Sequence, residues 1–233
     1  MPTLGIIGGI GPESTAEYYR LLIAEYRRRN PDGSAPSILI NSIDLKRLLD
    51  LVGAGQLQEL ATWLTAEIER LAKAGADFAL LASNTPHIVF NELRPSIPLI
   101  SIIEAARDYA RDHNLRRLGL FGTRFTMRGS FYPDVFAPME IVTPADEEQD
   151  FIHDKYMNEL LKGMKKPETR EALLRIIDRL KADEQIDGLI LGGTELPLIL
   201  GDESHNGVPI LDTTRIHVER AVERLLTAPA IED

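Results

Sequence analysis

Two short polar clusters, 110 residues apart, carry the reactive side-chain types in this chain. One is Ser83-Asn84-Thr85-Pro86-His87 and the other is Gly193-Thr194-Glu195. Each closes an apolar run, Phe78 to Ala82 in the first and Gly188 to Gly192 in the second. Buried strands that deliver hydroxyls, amides and a carboxylate to their C-terminal ends have this pattern. Such groups suit a carboxylate or phosphate ligand. A third cluster, Gly122-Thr123-Arg124-Phe125-Thr126-Met127, places two hydroxyls after another apolar run. Duller readings stand beside these: Asn84, Thr85 and Thr123 as helix caps, and His87 as a packed core histidine. Glu195 beside an anionic ligand is repulsive unless it is protonated or turned away to hold a neighbour.

Several chemistries are excluded. Gly8-Gly9-Ile10-Gly11-Pro12-Glu13-Ser14 is a poor dinucleotide fingerprint: Ser14 replaces the third glycine, and Glu13 would set charge beside a pyrophosphate. A tight strand-to-helix turn at Gly9 is the better reading. No Gly-x-Ser-x-Gly elbow surrounds a serine. His113, His153, His205 and His217 show no metal-ligand spacing, so no metal is expected. Lys46, Arg47 and Lys162 are candidate counterions for a second carboxylate, and each by itself reads as a solvated charge.

Composition narrows the partners. The 233 residues are 44% hydrophobic, with net charge −10 and no cysteine. Disulfides, thiolate metal sites and thiol catalysis are therefore absent. No Lys/Arg stripe interleaves with aromatics, so nucleic acid is not an expected partner. No apolar run approaches the ~18–20 residues of a membrane span, and no signal peptide is visible. The cytoplasm is the default expectation.

The elements that must position the clusters alternate strand with helix. Strands are predicted at Thr3–Gly8, Ser37–Ser42, up to Ser83, Leu99–Ile102, Leu118–Phe121, Leu189–Leu191 and Pro209–Leu211. Helices are predicted from Pro12 to about Arg29, Gln56–Ala74, around Ile88–Leu93, Glu104–His113, Ile152–Lys165, Glu168–Ala182 and Thr213–Leu226. Leu57, Leu60, Leu64, Ile68 and Leu71 recur every three or four positions, with Gly75 as the stop. The tail Ala228–Asp233 is expected to fray. This alternation predicts parallel sheets with crossover connections. The flanks of the clusters repeat as well: Ile97–Ser101 is echoed by Val208–Asp212, and Leu4–Gly9 by Leu118–Thr123. Two similar α/β halves follow, and ligands of such sheets sit at the C-terminal strand ends.

Four segments in order resemble the aspartate/glutamate racemase family, in its aspartate racemase branch. They are Gly5–Thr15, Asn84-Thr85-Pro86-His87, Gly122-Thr123-x-x-Thr126-Met127 and Gly192–Leu198. The resemblance covers nearly the whole chain. It implies two pseudo-symmetric α/β domains with mainly parallel sheets and an active-site cleft between them. Their expected bounds are 1–97 plus 211–233, and 98–210. It implies an amino-acid racemase, an isomerase that needs no pyridoxal phosphate or other cofactor and is usually a homodimer. Family members use two cysteines on opposite faces of the substrate α-carbon, immediately before Asn84 and Thr194. Here those positions are Ser83 and Gly193. By the same resemblance, Asn84, Thr85, Thr126 and Thr194 bind the α-carboxylate, with Gly9, Thr123 and Glu195 in the same site. Lys162 aligns with a basic residue for the side-chain carboxylate. Two readings follow: an enzyme acting on aspartate or glutamate with Ser83, His87 or Glu195 recruited for proton transfer, or a homologue that binds amino acids and has lost the chemistry.

Overall fold

The computed structural model describes residues 2–227. The expected fraying of Ala228–Asp233 lies outside the described residues. The chain divides into two compact units, Met1–Ile102 with Thr214–Asp233, and Ile103–Thr213.

The first unit holds a four-stranded parallel sheet of β1 (Thr3–Gly8), β2 (Ser37–Ser42), β3 (Phe78–Leu81) and β4 (Leu99–Ile100), in the order β2-β1-β3-β4. Helix α1 (Pro12–Arg29) follows β1, α2 (Leu45–Gly53) and α3 (Leu57–Lys73) follow β2, and the closing α9 (Thr213–Thr227) returns to this unit. Tyr18, Leu22 and Tyr26 of α1 join Val218, Val222 and Leu225 of α9 over Leu4, Ile6, Phe78 and Leu80 of the sheet. The spacing of three or four residues in both helical sets gives each helix one apolar stripe for this contact.

In the second unit, β5 (Arg117–Gly122), β6 (Glu140–Val142), β7 (Gly188–Gly192), β8 (Ser204–His205) and β9 (Val208–Asp212) are ordered β6-β5-β7-β9-β8. Only the β8–β9 pair is antiparallel. Helices α4 (Ile102–Asp112), α5 (Arg124–Arg128), α6 (Phe131–Phe136), α7 (Asp146–Asn158) and α8 (Pro167–Glu184) complete the chain. The core here joins Ile152 and Tyr156 of α7 with Leu173, Ile177 and Leu180 of α8, against Phe121, Leu189 and Leu191.

The sequence repeat is a repeat of strand pairing. Leu4 faces Phe78 as Leu118 faces Gly188, and Ala79 faces Leu99 as Leu189 faces Ile210. One aspartate precedes each central strand and ties it to its neighbour. Asp77 accepts from the Thr3 N–H at 2.6 Å, and Asp187 from those of Arg116 and Arg117 at 2.8 and 3.0 Å.

Several expected bounds move. β3 ends at Leu81, two residues short of Ser83, and the next segment is a 3₁₀ helix over Thr85–Glu92 that kinks at Val89. β4 stops at Ile100 because α4 already starts at Ile102. The single helix expected over Ile152–Lys165 is α7 followed by a 3₁₀ turn, Leu160–Lys162, stopped by Gly163 at φ 72°. α7 begins earlier because Glu148 accepts from the Ala145 N–H at 3.0 Å, and Asp146 and Glu147 suit a helix start. Helix α2, unassigned from the sequence, is capped by Asp44, which accepts from the Lys46 N–H at 2.8 Å.

Candidate active site

In a sheet of order 2-1-3-4 the connections leave in opposite directions after the first and third strands, and ligands collect at their C-terminal ends. Here those ends are the β1 and β3 loops in the first unit and the β5 and β7 loops in the second. The Gly9 turn and the three polar clusters lie there.

In the first unit, Gly9 sits at φ 82°, and a Cβ would overlap the Ile43 backbone. Only glycine suits that turn. Its N–H donates to Thr15 Oγ1 at 2.9 Å, so the amide already has a partner within the loop. Ser83, Asn84, Thr85 and His87 are all buried. Asn84 makes no side-chain capping bond to the 3₁₀ helix it precedes. Among the described residues nothing hydrogen-bonds the Ser83 hydroxyl, so no neighbouring base activates it.

His87 is not that base. Its Nε2 accepts from the Ile102 N–H at 3.3 Å, which leaves Nδ1 protonated and donating to the Ser83 carbonyl at 3.0 Å. The ring stacks on Phe90 with centroids 4.9 Å apart. Burial, aided by nearby His217, depresses its pKa to about 3, so it remains neutral. The expected recruitment of His87 is therefore corrected: both ring nitrogens hold backbone, and the packed-core reading applies.

In the second unit, Gly122 at the end of β5 pairs with Gly192 at the end of β7. Thr123 caps α5, its Oγ1 accepting from the Thr126 N–H at 3.3 Å, and the two hydroxyls lie 3.1 Å apart. Thr126 is fully buried, and its methyl lies 3.0 Å from where a Cβ on Gly192 would stand. The structure thus brings Thr123, Thr126, Gly193, Thr194 and Glu195 together. Lys162 is exposed in its 3₁₀ turn, 3.4 Å from the Asn158 side chain. Lys46 and Arg47 serve their own surface: Lys46 pairs with Asp50 at 2.5 Å, and Arg47 lies over Trp63 at 4.6 Å.

Glu195 is 1% exposed. Its Oε2 accepts from the Thr194 hydroxyl at 2.9 Å and from the hydroxyl of Tyr156. Turned in this way, the carboxylate holds neighbours. Tyr156 was not among the residues singled out from the sequence. Its only sequence signal is its place on the buried α7 stripe with Gln149 and Ile152, which reads as core. Burial first, and then the Glu195 charge, push its phenol well above the ordinary tyrosine pKa. A Cβ on Gly193 would lie 2.5 Å from Tyr156 Cε2 and 3.2 Å from Cζ. The phenol ring fills the space in which a side chain at 193 would stand.

Residues 7–221 match the Asp/Glu/Hydantoin racemase family. The chain belongs to that family. It is 30% identical to a Yersinia pestis structure provisionally named an Asp/Glu racemase, with TM-score 0.89 over 97% of this chain and 100% of that one. An aspartate racemase homologue from Pyrococcus horikoshii OT3 is 32% identical, with TM-score 0.81 over the same shares. The broad specificity amino-acid racemase RacX of Bacillus subtilis (strain 168) is 23% identical over 96% of this chain and 98% of its own. The family fold of two α/β units is therefore present, as is the absence of both thiols. Among the described residues no helix is long and apolar enough to cross a membrane, and no group of three or more His, Asp or Glu could hold a metal ion.

Proposed function

We propose that this racemase-family chain binds one acidic amino acid, aspartate or glutamate in type, through the β1 and β3 loops of one unit and the β5 and β7 loops of the other. The observation that carries the reading is the matched position of Asn84-Thr85 and Thr194-Glu195, buried polar pairs after register-equivalent strands. The relatives' names as amino-acid racemases support the substrate class. In this reading Asn84, Thr85, Thr126 and Thr194 hold the α-carboxylate, and Lys162 pairs with the side-chain carboxylate.

Two-base racemisation is not the activity favoured by these groups. Ser83 has no activating base, and Gly193 has no side chain at all. The second reading, recognition of an amino acid without inversion of its stereocentre, rests on that same pair of positions.

Isothermal titration with L- and D-aspartate and L- and D-glutamate tests the binding site. We expect Asn84→Ala in one unit and Thr194→Val in the other each to weaken the same ligand by about 1–3 kcal/mol, the cost of a buried group left unpaired. Unchanged affinity for either variant would overturn a site shared by both units.

A further inference from the structure

The mechanism left open by Ser83 and Gly193 has a candidate beside the second position. The geometry points to Tyr156 and Glu195 as a one-face proton relay that replaces the missing thiol and exchanges the α-proton of a bound amino acid without inverting it. The inference rests on the amino-acid-binding reading above.

Three observations place the pair. The Tyr156 ring occupies the volume of a side chain at 193, with Cζ 3.2 Å from the Cβ position, and the hydroxyl is one bond beyond Cζ. That hydroxyl donates to Glu195 Oε2, so a proton acceptor is already bound to it. Thr194 donates to the same oxygen at 2.9 Å, a bond its hydroxyl exchanges for one to a bound α-carboxylate. Within the polar clusters after β3 and β7, the other side-chain acid/base candidates among the described residues are Ser83 and His87. Ser83 has no base, and the two nitrogens of His87 are bound to backbone.

The step balances without another reactant. The Cα–H bond breaks and its proton binds the Tyr156 oxygen, while the phenol's own proton passes to Glu195 Oε2. The electron pair remains on the substrate, spread from Cα into the α-carboxylate. Tyrosine stays neutral throughout, which suits a phenol whose ionisation is opposed by burial and by the adjacent charge. The return step runs the same path backwards. In D₂O the Tyr156 hydroxyl, which now carries the former α-proton, exchanges with solvent together with the acid proton on Glu195 before the return step, and the same face then receives a deuteron. A carboxylate is intrinsically a weaker base than a thiolate, so exchange is expected to be slower than a thiolate-driven step.

The experiment follows α-proton exchange by NMR in D₂O, with each enantiomer of aspartate and glutamate at saturating protein over days. Ligand line broadening in the same tubes reports binding. We expect one enantiomer of the bound amino acid to exchange with retention and the other to remain protonated. Tyr156→Phe keeps the ring over Gly193 and is expected to lower exchange at least 100-fold while line broadening persists. Glu195→Gln, with thermal melts as a fold control, is expected to do the same. Exchange that survives Tyr156→Phe, exchange of both enantiomers, inversion, or binding without exchange would each overturn the relay alone. Absence of line broadening with all four ligands would instead overturn the binding reading, and the relay with it.

Discussion

At position 193 a side chain and the Tyr156 ring compete for one volume. The ring belongs to the core that α7 shares with β7 and α8, and its hydroxyl is tied to Glu195, so it cannot swing aside cheaply. Gly193→Cys by itself is expected to destabilise the protein by about 1–3 kcal/mol through overpacking. Tyr156→Ala leaves a cavity and is destabilising as well. Combined, the two changes are expected to cost less than their sum, with a coupling of about 0.5–3 kcal/mol in a double-mutant cycle of urea denaturation. Additive effects would mean that ring and side chain do not share that volume. Restoring a thiol here consequently requires two substitutions, a requirement visible only once α7 has been laid against β7.

At the scale of elements, the junction of α7 and α8 depends on one carboxylate. Glu159 follows α7, and its side chain accepts from Thr169 Oγ1 of α8 at 2.7 Å and lies 3.1 Å from both Lys155 Nζ and Lys166 Nζ. These donors, the Thr169 hydroxyl first, hold its pKa down at about 2. Its backbone carbonyl accepts from the Met164 N–H at 2.9 Å and closes the turn that carries Lys162. Glu159→Gln is expected to lower stability by about 1–3 kcal/mol, read as a shift in urea midpoint without a change in slope. A midpoint within error of the parent would show that the turn stands without it. The sequence displayed this junction as one helix, because Ile152, Tyr156 and Leu160 continue the helical period up to Gly163. The glycine and the bonds to Glu159, which end the helix early, act over distances that no hydrophobic period encodes.

For the whole molecule, acid sensitivity comes from two neutral buried histidines. His217 Nε2 donates to the Ile100 carbonyl at 3.0 Å, and Nδ1 accepts from the Tyr18 hydroxyl at 3.0 Å. Burial lowers its pKa to about 4, beside about 3 for His87. Both folded values lie below the ~6.5 of an unfolded histidine. The unfolded chain therefore binds protons first as pH falls, and stability that is complete above pH ~6.5 is lost progressively toward the folded values. Each histidine's contribution approaches about 1.4 kcal/mol per pH unit below pH ~6.5, so roughly 3 kcal/mol should disappear between pH 6.5 and 5. Urea denaturation across that interval should show the loss, and His217→Gln should halve its slope. A pH-independent midpoint would mean that the two rings are already charged in the folded protein.

Much of this protein was determined by sequence pattern alone. The duplicated apolar runs, the glycine turns and the polar residues after them encode two α/β halves of one strand order, because strand burial and turn chemistry are local properties repeated along the chain. Ser83, Asn84, Thr85, Thr126, Thr194 and Glu195 stand out as candidates for the same reason, each following within four residues the end of a buried strand. Tertiary structure decided what those groups can do. It locked His87 between the Ser83 carbonyl and the Ile102 amide, and it left the Ser83 hydroxyl without a base. It also set Tyr156, 37 residues earlier in the chain, over Gly193 with its hydroxyl on Glu195. Proton transfer depends on contacts of a few ångströms between residues far apart in the chain, and those contacts exist only after the helices have packed on the sheets.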